Sequence, residues 1–224
     1  MSEGTELIKI DDLGVGGEVQ KFTDDQFLAT AQSGAFLPRL QFMSARSSKC
    51  ASGDFPINHF ASVRDQTFTD LGATVDLLNI AWRPKALHTG DVVITSFDPE
   101  SESFRRIQTA SGVKDNQDDM YGPEFLVWIP SIKEFVTFFM CSASMRRESP
   151  QMKARLRQAV TLDSQEIKTA KFQWFSAVVK TCSTPLSEMP DMEKLKAEAE
   201  KFNNPKESDV EVVEEDGATD ERAR

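Results

Sequence analysis

The sequence predicts a mainly β (α+β) domain: a small antiparallel barrel of five or six strands, with short helical insertions and a C-terminal helix and tail. Three observations point there. Short apolar runs of strand composition recur through the centre of the chain, at 35–45, 59–65, 75–82, 92–94, 124–130, 134–142 and 167–181. The helix-start signals among them, Asp98-Pro99 and Ser149-Pro150, open only short segments. Strands do not alternate steadily with crossover helices, which disfavours a parallel sheet.

Residues 1–34 read as an acidic arm. Within it, DDQFLATAQS (24–33) has the makings of one short helix, capped by Asp24 or Asp25 and stopped by Gly34, while Gly14-Val15-Gly16-Gly17 reads as a flexible turn. The folded domain spans 35–185. In AFLPRLQFMSA, Leu40, Phe42 and Ser44 fall in phase with Pro38, which suits a strand with proline near its start or on an edge. HFASVRD (59–65) is a weaker strand. Val75, Leu77, Leu78 and Ile80 form a core strand that runs into Trp82-Arg83-Pro84-Lys85, where Pro84 is expected to stop pairing and redirect the chain before Val92-Val93-Ile94. By simple alternation Trp82 shares a face with Leu78 and Ile80, and Arg83 points to the other face, beside Asn79.

A helix from Pro99 to Ala110, capped by Asp98 and ending near Gly112, places Phe104 and Ile107 inward and Arg105 and Arg106 outward. EFLVWIP (124–130) and EFVTFFMCS (134–142) read as a buried hairpin around Ser131-Ile132-Lys133. Ser149-Pro150 is expected to open a second helix, with Met152, Leu156 and Ala159 on one face and Lys153, Arg155 and Arg157 on the other. IKTAKFQWFSAVVKT (167–181) returns to strand composition. Pro185 and Pro190 lead into a helix within 186–202, and the acidic segment 203–224 has the composition of a disordered tail.

At 224 residues with 39% hydrophobic and 28% charged residues, the chain has enough apolar content for a core. No apolar run approaches the roughly 18–20 residues of a membrane span, and the acidic start MSEGTE lacks the blocks of a signal peptide, so a cytoplasmic location is expected. Cys50, Cys141 and Cys182 form an odd set without a close pair, which argues against a disulfide framework. The net charge of −10 is segregated: residues 1–30 hold 2 Lys against 7 Asp/Glu, 31–185 hold 18 Lys/Arg against 16 Asp/Glu, and 186–224 hold 6 against 13. An acidic average disfavours a nucleic-acid partner, because binding is driven by releasing counterions from neutralised phosphates. A slightly basic centre removes that objection.

Catalytic signatures are absent from the sequence. Neither His59 nor His88 lies in a known nucleophile–base pattern, GVGGE lacks the lysine and hydroxyl of a P-loop, and the Cys/His spacing fits no zinc motif, so neither a metal nor a cofactor is expected. The carboxylates Asp76, Asp98, Asp118, Asp119 and Glu124 leave a metal-dependent nuclease as one alternative. What remains is an interleaving of cations with aromatics, the residue types a single-strand binder needs to follow phosphates and stack on bases. The candidates are Arg39 with Phe42, Arg46 and Lys49, Trp82 with Arg83 and Lys85, Arg105 and Arg106, Arg146 and Arg147, and Lys168, Lys171, Phe172 and Trp174. Each aromatic also admits a core role.

FLPRLQFMSA, LLNIAWRPKA, YGPEFLVWIP and FFMCSASMRRESP, followed by a basic aromatic strand and an acidic tail, resemble bacteriophage-type single-stranded DNA-binding proteins over about residues 35–185. The resemblance implies an oligonucleotide/oligosaccharide-binding (OB) barrel in the host cytoplasm that coats single-stranded DNA during replication or recombination without catalysis. It also implies an acidic tail that contacts replication or recombination proteins or competes with DNA. A homodimer is compatible with it. The competing class is a structural or protein-interaction module, such as a phage assembly component, whose apolar strands build a subunit interface.

Overall fold

The computed structural model describes the backbone of residues 7–9 and 18–20, and residues 37–45, 47–90, 92–113, 116, 118–168, 173–183 and 185–204 in full. The helix expected at 24–33, the glycine turn at 14–17 and the tail beyond 204 lie outside the described residues. Strands β1 (Leu7–Lys9) and β2 (Glu18–Gln20) pair with each other as an antiparallel ribbon. The body comprises β3 (Arg39–Met43), α1 (Ser48–Ala51), β4 (His59–Arg64), β5 (Thr67–Gly72), β6 (Thr74–Thr89), β7 (Val93–Ser96), α2 (Glu102–Ala110), β8 (Asp119–Ile129), β9 (Glu134–Phe139), α3 (Ala143–Ala154), β10 (Gln158–Lys168), β11 (Gln173–Thr181) and α4 (Met192–Asn203). None of the described helices is long and apolar enough to cross a membrane.

The fold is mainly β, but the sheet is not the closed five- or six-stranded antiparallel barrel that the sequence suggests. Nine strands run in the order β11-β10-β6-β8-β9-β3-β4-β5, with β7 on β6, and the end strands do not pair. One junction, β3 on β9, is parallel and makes the sheet mixed. Extra strands account for the difference. β5 is half-exposed and carries only Phe68 and Leu71 as large apolar residues, and it joins β4 through Asp65-Gln66, both at positive φ (45° and 64°) as in a two-residue primed hairpin turn, without the glycine or asparagine that would announce one. β10 occupies residues whose apolar spacing mimics a helix. Leu156 therefore sits in a turn and Ala159 in a strand instead of on a helix face.

The long β6–β8 pair sets the geometry of the molecule. A bulge between Asn79 and Ala81 shifts the register, so Leu78 faces Trp128, Ala81 faces Leu126 and Trp82 faces Phe125. The extra residue flips the phase: Trp82 joins the face of Val75, Leu77, Phe125 and Val127, not that of Leu78 and Ile80, and Arg83 leaves the face of Asn79. Pro84 does not end the strand. It lies mid-β6 opposite Pro123, in a stretch whose other edge is free of strands, because β10 pairs only with 74–79 and β7 only with 86–89. There the N–H that proline lacks has no ladder partner to serve.

Two cores result. One face gathers Leu40 and Phe60 from one end of the sheet with Ala177 and Val179 from the other, plus Met152 of α3, so the sheet curls about a single cluster. The opposite face packs Leu78, Ile80, Leu126, Trp128 and Phe135 against Leu195, Ala199 and Phe202 of α4. Helix α2 buries Phe104 and Ile107 against Ala86, but its cap is Ser101, whose hydroxyl accepts from Phe104 N–H; Asp98 makes the turn before it. Helix α3 begins at the Ser142 cap rather than at Ser149, and Pro150 sits inside it. The Ser149 hydroxyl donates to the Arg146 carbonyl at 2.8 Å, replacing the N–H that Pro150 cannot supply to the same oxygen.

Candidate nucleic-acid interface

Strand β6 carries Arg83 and Lys85 onto the α4 face, where both meet Glu124 of β8. Arg83 Nε donates to Glu124 Oε2 at 2.8 Å and Lys85 Nζ to Oε1 at 2.6 Å. Glu124 is 1% exposed, and the side chains of Arg83 and Lys85 are 17% and 16% exposed. The guanidinium lies between two rings, 3.6 Å from the centroid of Phe97 and 4.2 Å from that of Phe202, and donates to the Phe202 carbonyl at 2.6 Å. Lys85 also stands 5.2 Å from the Phe139 ring. Two cations around one carboxylate leave a net positive charge, but this cluster is half-buried beneath the C-terminal helix. It ties α4 to the sheet.

On the opposite face, α3 and the turn after it present five cationic side chains, Arg146, Arg147, Lys153, Arg155 and Arg157, against one carboxylate, Glu148. Glu148 accepts from the Val179 N–H of edge strand β11 at 3.2 Å, so it serves the edge, and among the described residues it forms no ion pair with a neighbouring cation. Arg146 lies 4.3 Å from the Tyr121 ring centroid and donates to the carbonyls of Tyr121 and Cys141. Arg155 donates to Gln151, and Arg147 and Arg157 are exposed. Lys153 Nζ sits 3.5 Å from the centre of the half-buried Trp82 ring, and desolvation there lowers its pKa below the ordinary 10.5. Buried Asn79 holds the turn in place: its Nδ2 donates to the Met152 and Arg155 carbonyls at 2.6 and 3.2 Å, and its own carbonyl accepts from Arg157 N–H.

The remaining candidates are dispersed. Arg39 is exposed on β3, and Phe42 packs half-buried against Phe60. Lys49 is exposed on α1, 6.0 Å from the Phe68 ring. Arg105 and Arg106 are exposed on α2, with Arg105 paired to Glu100. Lys168 pairs with Glu166 at 2.9 Å near the end of the β10–β11 hairpin, where half-buried Trp174 lies opposite Ile167. Arg46, Lys171 and Phe172 lie outside the described residues.

Four of the five carboxylates considered for a metal have separate partners: Asp76 with Thr161, Asp98 with the Glu100 N–H, Asp119 with His88 and Asn116, and Glu124 with Arg83 and Lys85. His59 pairs with Asp70, and no disulfide joins the cysteines of the described residues. Lys153, Arg155 and Arg157 were legible in the sequence as outward cations, and their density against a single acid was the available signal. Nothing local marked Phe97 or Phe202 as partners of Arg83. No family model matches the chain, nor does any curated protein or solved structure.

Proposed function

We propose that the chain binds single-stranded nucleic acid, DNA first, with little sequence preference and without catalysis, in a replication or recombination setting. The observation that carries this role is the cationic α3 segment, anchored by Asn79 and placed beside Trp82 on the same strand. Cations held on a rigid element neutralise a phosphate track, and an aromatic ring beside them offers a surface to bases. In fold terms, the curled open sheet is taken as an opened form of the OB-like barrel. Its binding surface is the α3 face, while Arg83 and Lys85 are structural.

Fluorescence anisotropy of labelled oligothymidine, titrated across salt without magnesium and with duplex competitor, tests this role. Tight, salt-dependent binding that duplex does not displace is expected. Absence of binding at low salt, with or without residues 205–224, would refute it. The protein-interaction module would then lead, favoured by the outer edge of β5, which pairs with no further strand among the described residues.

A further inference from the structure

The Trp82 ring already has an occupant. Lys153 Nζ stands over it at 3.5 Å, although no carboxylate pairs with this ammonium among the described residues. The face of an indole attracts a cation through its quadrupole and a nucleobase by stacking, and it has room for only one of them at a time. Lys153 is desolvated there without an ion pair in return, so a nearby phosphate is a better partner for its charge. The adjoining turn is fixed to β6 at Asn79, three residues before Trp82, and its Arg157 is exposed. A strand whose phosphates follow that turn brings its bases to the ring.

We infer that Lys153 is an exchangeable cover of the Trp82 face: an unpaired base of a bound strand replaces the ammonium on the indole, and Lys153 moves to the adjacent phosphate. This rests on the proposed single-strand binding and adds a means of discrimination. A polyanion without bases recruits the cations but cannot displace Lys153 by stacking. Duplex DNA, with its bases already stacked on one another, is in the same position.

The test compares the full-length chain binding a labelled oligothymidine with its binding of an abasic oligodeoxynucleotide of equal length and charge, read by anisotropy, with tryptophan fluorescence recorded in parallel. Oligothymidine should bind about tenfold tighter, within the range of base–aromatic stacking, and should quench emission. In Trp82→Leu that ratio should fall to about one while abasic binding persists. Lys153→Gln, at a half-buried position, should keep the preference for thymidine and flatten the salt slope by about one unit. Equal affinity of the wild type for both oligomers overturns the exchange and leaves single-strand binding standing, as does an unchanged slope in Lys153→Gln, even if Trp82→Leu fails to fold. Failure to bind either oligomer overturns both.

Discussion

Replacing Glu124 with glutamine removes one negative charge from a side chain that is 1% exposed while leaving both of its cationic partners in place. Arg83 and Lys85, at 2.8 and 2.6 Å, would then face a neutral amide, one end of which presents donors to donors. Breaking a buried pair from one side costs about 3–5 kcal/mol. Glutamine keeps one carbonyl acceptor and both cations retain some contact with water, so the lower end applies, about 3 kcal/mol. For a chain of this size that corresponds to a fall in Tm of about 6–12 °C, measured by circular dichroism. The triple variant Glu124→Leu, Arg83→Met, Lys85→Met should recover most of the loss, because apolar replacements of a buried ionic cluster are often neutral or stabilising. If E124Q melts with the wild type while its DNA affinity rises and its salt slope steepens, the cations are phosphate ligands held in check by Glu124, and the structural role assigned to them is wrong.

Other consequences are equally accessible. Lys85→Ala should lower Tm without changing the salt slope of DNA binding, whereas Arg157→Ala should flatten that slope by about one unit at unchanged Tm. Ser149→Ala leaves the Arg146 carbonyl without the hydroxyl that stands in for Pro150, at a cost of about 1 kcal/mol in urea denaturation. The Lys180 ammonium, aided by the Thr74 hydroxyl, holds the Asp163 carboxyl below its ordinary 3.8 against a smaller opposing effect of burial. Its contribution to stability is therefore complete above that value and vanishes as pH falls through the depressed one, so Asp163→Asn should flatten the acid limb of the stability–pH curve. A Cβ at Gly122 would run into the Met140 carbonyl, so Gly122→Ala should destabilise the β8–β9 junction and lower the urea midpoint.

By itself, the sequence determined whatever depends on neighbours along the chain. The mainly β class, the β8–β9 hairpin and the amphipathic α4 follow from apolar periodicity and turn signals within short windows, and the acidity of both ends is read by counting. Only the tertiary structure decided where Trp82-Arg83-Pro84-Lys85 points. One inserted residue at the Asn79/Ala81 bulge reverses the alternation on which any local assignment of faces relies, and no residue type in β6 announces it. The partners of Arg83 lie 41 and 119 residues away, at Glu124 and Phe202. Each is unremarkable locally: a carboxylate in a strand, an aromatic at a helix end. Whether a cation is solvated, paired or stacked depends on what the fold brings within a few ångströms, and at such separations chain topology alone decides that. The same holds for Lys153, an ordinary outward lysine in the sequence until packing of α3 on the sheet sets it over the Trp82 ring.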